Sequence, residues 1–318
     1  MISLILCGYS DAAEKRTPLK PTETTKGAKQ GMKTYYMGRF AIDLPAEFKL
    51  EIQSQKIRYA EVSDFKWKER DRAKERESLW VQKISEIKKL KLPKGKDRII
   101  IEEVNIPNLG KWAKGILYYG NYVSPRTLYW TVLLDCGDTG IWLQIDGIKK
   151  DQMSNHFVKL LSHYQYGFDN LTKDSFCLNH GRIELPYLEQ EDIYARFAGP
   201  MGMKLEIEMH EIHREPQYGG IISRTAAAMA TGFATGIDIE KIRSRERIIA
   251  GLDGEEEILK GDDGRKKDLS FDWEYLGKVE SGEQPWIQIT VDTEPDNLDE
   301  KTNIWDHALD SFRPAYKR

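Results

Sequence analysis

Two short phrases each occur twice in this 318-residue chain, at nearly the same spacing. Ile42-Asp43-Leu44-Pro45 is echoed 141 positions later by Ile183-Glu184-Leu185-Pro186. Trp142-Leu143-Gln144-Ile145 is echoed 144 positions later by Trp286-Ile287-Gln288-Ile289. Two matches in the same order point to a tandem duplication. Halves of about 140 residues have room for a core each. The expected organisation is a linker over 1–34, a first domain over 35–170 and its repeat over 171–318.

Each half reads as the same succession of elements. Phe40, Ile42 and Leu44 alternate with Ala41 and Asp43, a half-buried strand stopped by Pro45. A charged helix is expected over about 66–91, with Trp80, Ile84 and Ile87 on one stripe. Leu128 to Leu134 is an aromatic and β-branched run, and the glycines at 137 and 140 turn it into a hairpin with Ile141 to Ile145. Met153, Phe157, Leu160 and Leu161 form one face of a helix that closes the half. In the second half the corresponding helices are the alanine-rich stretch Arg224 to Thr235 and a closing helix near 299–312, with Trp305, Leu309 and Phe312. Strands joined by short turns favour antiparallel pairing. The expected class is α+β: two tandem, similar domains, each a mainly antiparallel sheet with helices packed on one side.

Charge is unevenly spread. Residues 1–100 carry 23 Lys/Arg against 14 Asp/Glu, and residues 251–318 carry 9 against 18. Such asymmetry can steer a charged partner, and it equally suits an ordinary solvated surface. Along 66–77 the basic residues alternate with glutamates, which argues against a nucleic-acid groove. The opening Met1-Ile2-Ser3-Leu4-Ile5-Leu6-Cys7 has the look of the tail of an export segment. Cys7 is the candidate for lipidation, although Leu6 stands where a lipoprotein signal has a small residue, and a plain unstructured start is the alternative. Ser10 to Thr34 has the composition of a tether. Cys136 and Cys177 are the candidates for a disulfide in an oxidising compartment; as free thiols they are simply small buried residues.

The chemistry-bearing motifs are missing. There is no G-x-S-x-G, no phosphate-binding loop and no G-x-G-x-x-G. His210 and His213 fall on opposite faces of a strand, which removes a shared metal. Asp262-Asp263-Gly264 lacks the alternating ligands of a calcium loop. The expectation is a non-enzyme with neither metal nor cofactor. What remains is a hairpin, Gly251-Leu252-Asp253-Gly254-Glu255-Glu256-Glu257, which reads first as a structural turn; Asp253, Glu255, Glu256 and Glu257 are also the candidates for a partner-facing acidic loop. Trp67, in charged surroundings, is the candidate interface anchor.

The paired openings Gly38-Arg39-Phe40-Ala41-Ile42-Asp43-Leu44-Pro45 and Cys177 to Pro186, with Gly251 to Glu256 and Phe271-Asp272-Trp273, resemble the two-domain immunity proteins that protect bacteria against type VI secretion phospholipase effectors. The resemblance implies a periplasmic, lipid-anchored or exported protein that binds a cognate lipase effector as a heterodimer and sterically blocks substrate access. The rival readings are an envelope lipoprotein that binds a small ligand, and a carboxylate-dependent hydrolase.

Overall fold

A computed structural model describes residues 31–109, 111–120, 126–147, 149–232, 238–262, 264 and 267–317. Cys7 and residues 1–30 lie outside the described residues. The chain runs β1 (Met32–Met37), β2 (Phe40–Pro45), β3 (Lys49–Ile57), β4 (Ala60–Lys66), α1 (Arg72–Lys88), β5 (Ile100–Asn105), β6 (Ala113–Tyr118), β7 (Leu128–Asp135), β8 (Thr139–Gly147) and α2 (Lys150–Ser162). It continues with β9 (Tyr164–Tyr166), β10 (Ser175–Cys177), β11 (Gly181–Glu184), β12 (Glu191–Ala198), β13 (Lys204–His210), α3 (Ile221–Gly232), β14 (Asp238–Ile249), β15 (Leu252–Asp262), β16 (Lys267–Tyr275), β17 (Trp286–Thr293), α4 (Leu298–Ser311) and β18 (Arg313–Pro314).

Twelve strands make one antiparallel sheet in the order β14-β15-β16-β17-β13-β12-β3-β4-β8-β7-β6-β5. The middle of that order is the pairing of β12 with β3, from Glu191↔Ile57 to Ala198↔Lys49. The repeated Trp-x-Gln-Ile phrases fall on β8 and β17. Gln144 faces Glu61 across the ladder, and Gln288 faces Glu208. The repeated Ile-acid-Leu-Pro phrases fall on the hairpins that precede β3 and β12. Each hairpin is completed by the strand that follows the other half's closing helix: β9 adds to β11, and β18 adds to β2.

The helices occupy both faces of the sheet, which corrects the one-sided expectation. α2 and α4 cover the inner face, where Phe157 meets Trp130 and Trp305 meets Phe271. α1 covers the outer face, where Trp80 stacks on Trp142 above Leu133 and Ile116. α3 also lies on the outer face, against β14 and β15. The physical reason is visible in β7. Leu128 to Leu134 is a nearly continuous apolar run, the pattern of a strand buried on both sides. Trp130, Val132 and Leu134 enter the main core, whereas Leu133 packs under α1.

Residues 32–318 form one compact unit. Its middle is held by buried charge as well as by the strand ladder. Arg39 and Glu191 are 6 % and 7 % exposed, and the guanidinium grips the carboxylate through Nε (2.8 Å) and Nη2 (2.6 Å). Its other donors reach Lys173 O and Leu185 O. Gly38, at φ +54°, exchanges backbone hydrogen bonds with Cys177 at 2.9 and 2.7 Å. A β-carbon there would stand 2.4 Å from Ile193 Cδ1, so this contact requires glycine. Removing one partner of a buried ion pair strands the other. Arg39→Ala is therefore expected to lower unfolding free energy by about 3–5 kcal/mol, read by urea denaturation, with Arg39→Lys recovering only part of the loss.

Candidate functional site: the uncovered outer face

Among the described residues, no helix lies over the outer face of the sheet between α1 and α3. Strand alternation puts apolar residues such as Ile193, Ile207 and Ile289 into the core below and sends their neighbours outward. Three adjoining depressions result. The first, about 430 Å³, lies over β3, β12 and β13 and includes Lys56, Asp192, Tyr194, Glu208 and His210. The second, about 220 Å³, shares Lys56 and adds Tyr59, Glu61, Gln144, Asp146 and Gln190. The third, about 250 Å³, shares Glu61 and Gln144 and reaches Lys83 and Trp142 beside α1. The track thus crosses the sheet's middle and joins both halves.

Its chemistry is polar and acidic. Four carboxylates, Glu61, Asp146, Asp192 and Glu208, face two lysines, Lys56 and Lys83. Sites for small molecules are generally enclosed and mostly apolar. This open floor, where Ile193, Met209 and Trp142 lie among carboxylates, amides and hydroxyls, suits a protein surface better. His210 stacks on the Trp286 indole with ring centroids 4.3 Å apart. Burial pushes its pKa down, against the opposing pull of Asp192 and Glu208. No group of three His, Cys, Asp or Glu among the described residues could hold a metal, and no described helix is long and apolar enough to cross a membrane.

The acidic hairpin lies elsewhere, and most of its carboxylates are engaged within the molecule. Glu255 accepts from the Ile222 amide at 2.8 Å, capping the start of α3, a favourable place for an anion. Glu256 is fully buried beneath α4. It accepts from Trp305 Nε1 (2.8 Å), Arg243 Nη1 (2.9 Å), Arg245 Nε (2.6 Å) and Arg247 Nη1 (3.1 Å). Burial opposes its ionisation, yet the Arg245 and Trp305 donors and the other guanidiniums hold its carboxyl below the usual range. Glu257 is also fully buried and takes Ser244 Oγ at 2.9 Å and Lys241 Nζ at 3.2 Å. Only Asp253 stands in water. The exposed acidic loop expected from the sequence is corrected accordingly. Its arginine partners were legible as the alternating Arg243-x-Arg245-x-Arg247, three like charges on one face of one strand.

Trp67 is half-buried, edge-on to Phe65 with centroids 5.0 Å apart, and packs in the cluster beneath α1. Cys136 and Cys177 are free thiols, which corrects the disulfide reading. Burial pushes them to about 11 and about 12, so neither is a thiolate at neutral pH. The turn at Arg58–Tyr59, beside the second depression, carried no glycine to mark it and was missed from sequence.

Asp272, on the same outer face of β16, is pushed up to about 7, chiefly by burial and then by the charge of Asp292. A carboxyl that holds its proton longer when folded weakens the fold as pH rises. Its contribution is full below the unfolded value near 4 and is lost as pH climbs through about 7. Asp272→Asn is expected to flatten the fall of Tm between pH 5 and 8 and to raise Tm at pH 8, by calorimetry across that range.

Residues 172–315 match the family model of the Tle cognate immunity protein 4 C-terminal domain. None of the curated proteins matches. Among solved structures, the apo immunity protein TplEi of the T6SS from Pseudomonas aeruginosa superposes with a TM-score of 0.72 at 18% identity, covering 92% of this chain and 99% of that one. The crystal structure of the Tle4–Tli4 complex contains a chain that superposes with a TM-score of 0.73 at 18% identity, covering 91% of this chain and 99% of its own. At that identity these neighbours establish a shared fold, and it extends over both halves of the sheet. Residues 172–315 are thus similar to the C-terminal domain of the Tle cognate immunity protein 4 family.

Proposed function

We propose that this protein is an immunity protein that binds a lipase effector of type VI secretion and blocks access of lipid to it. The observation that carries the reading is the family match over 172–315. It is supported by the fold shared with immunity proteins, one of them solved in complex with its Tle4 effector. Binding is by the uncovered outer face, and inhibition is steric: a rigid body seated on a lipase covers its cleft or pins its lid. The site of action is the periplasm, with Cys7 as the lipid anchor. The two halves, 35–170 and 171–318, descend from one duplicated domain; the order of strands is the same read inward from either edge of the sheet. The hydrolase reading loses its residues, because Glu255 and Glu256 are held by the α3 amide and by the arginine row.

The test is titration of a candidate lipase effector, sought first among the genes flanking this one, with the purified protein, followed by turnover of a phospholipid substrate. Activity is expected to fall to background near equimolar ratio, and full activity at saturating protein overturns the reading. Glu61→Lys with Glu208→Lys is expected to slow association by about tenfold at low salt, an effect that fades as salt rises. Stopped-flow binding at two ionic strengths reads it.

A further inference from the structure

The two-residue turn between β3 and β4 is built of Arg58 and Tyr59, closed by the Ile57↔Ala60 pair. Their φ values are +49° and +68°. Positive φ at both central positions is the hairpin geometry that Asn-Gly normally fills, and a bulky side chain is strained there. Gln190, on the loop facing the turn, is a third such residue at φ +31°. The surroundings hold the turn in place. The Arg58 amide donates to Gln190 O at 2.8 Å, its buried guanidinium donates to Pro186 O at 2.6 Å, and His156 Nε2 donates to its carbonyl at 2.7 Å. The opposing loop is tied down in turn: Glu211 accepts from Tyr187 Oη and from the Gln190 amide.

What this strained, pinned scaffold presents is apolar. Tyr59 is 49% exposed, and Leu188 on the opposing loop is 61% exposed. Packing does not account for Tyr59, since half of it is in water and glycine would relieve its backbone. Around it the charge is net negative, with carboxylates outnumbering Lys56. Glu189 lies 3.5 Å from the Tyr59 hydroxyl, and Glu61 and Asp146 share its depression. Backbone strain that the fold maintains, at a position whose side chain the fold does not need, marks a group kept for something outside the molecule.

We propose that Tyr59, with Leu188 beside it, is the anchor that enters an apolar recess on the effector rimmed by lysine or arginine, and that the Arg58–Tyr59 turn is held in its strained form to present it. This rests on the reading of the chain as an effector-binding protein. Rigid, preorganised aromatic groups at the centre of a patch carry a disproportionate share of interface energy. The acidic rim selects a cationic surround and extends into the floor of the outer face.

The experiment uses the full chain and the lipase effector that it inhibits in the titration above, with affinity by calorimetry and Tm by differential scanning. Tyr59→Gly is expected to raise Tm, by releasing strain, while weakening binding by about thirtyfold or more. Tyr59→Phe keeps affinity within about threefold, because ring burial carries the contact. Leu188→Ser weakens binding, and Ile248→Ala, still more exposed on the edge strand β14, leaves it unchanged. If the wild-type protein binds and Tyr59→Gly binds equally well, the anchor is wrong and the immunity reading stands. Parallel loss of Tm and affinity in Tyr59→Gly also overturns it, by making the residue a packing element. Failure of the wild-type protein to bind the lipase overturns the immunity reading and this inference with it.

Discussion

The Arg39–Glu191 pair lies where the hairpin of one half meets the first sheet strand of the other, with the Arg58 charge as further compensation for the carboxylate. Desolvating both charges is offset only while the bidentate geometry holds and the carbonyls of Lys173 and Leu185 take the remaining donors. The β3–β12 ladder runs beside it, so the ladder and the ion pair stand or fall together. A second buried carboxylate repeats the arrangement in the opposite sense. Asp64, on β4, accepts from the amides of Asn179 and His180 and from the Tyr164 hydroxyl. Burial drives its pKa up while these donors oppose the shift. Charge buried at a junction tolerates little displacement, because a small opening exposes no water yet breaks the hydrogen bonds. The junction therefore behaves as a weld between halves, and whatever the outer face meets, it meets as one surface.

That rigidity divides the labour between repeated and unrepeated residues. The doubled Ile-acid-Leu-Pro and Trp-x-Gln-Ile phrases supply buried side chains: Ile42, Leu44, Ile183, Leu185, Ile287 and Ile289 are all in the core. The departures from symmetry are on the outer face. α1 has 17 residues and covers its end of the sheet with Trp80 stacked on Trp142, whereas α3 has 12 and is attached through Glu255 and the Arg224–Glu274 pair. The open floor between them is asymmetric in consequence.

Much of this was legible before the structure. The closing helix showed its buried face through Trp305, Leu309 and Phe312, and the antiparallel sheet showed through strand spacing. The acidic hairpin was legible as a turn, but its carboxylates are not the exposed partner-facing groups that its composition also suggested. Three adjacent glutamates look like surface until the strand pairing places Arg245 opposite Glu256, and pairing is a long-range fact that local sequence does not carry. Burial on both faces was written in β7 yet read as a single face. The Arg58–Tyr59 turn was illegible for a different reason: turn signals are residues that fit the geometry well, and this turn is made of residues that fit it badly.

The exchange of β9 and β18 has a consequence in time. The hairpin of β1 and β2 is synthesised first, but its third strand, paired through Arg313↔Ala41, is among the last made. The early half must wait, one edge of its small sheet bare, until almost the entire chain has emerged. Completion is then a single late event that closes the molecule back on its own beginning. A polypeptide truncated anywhere before Arg313 leaves that edge open, and an open edge is a substrate for proteases and for other strands.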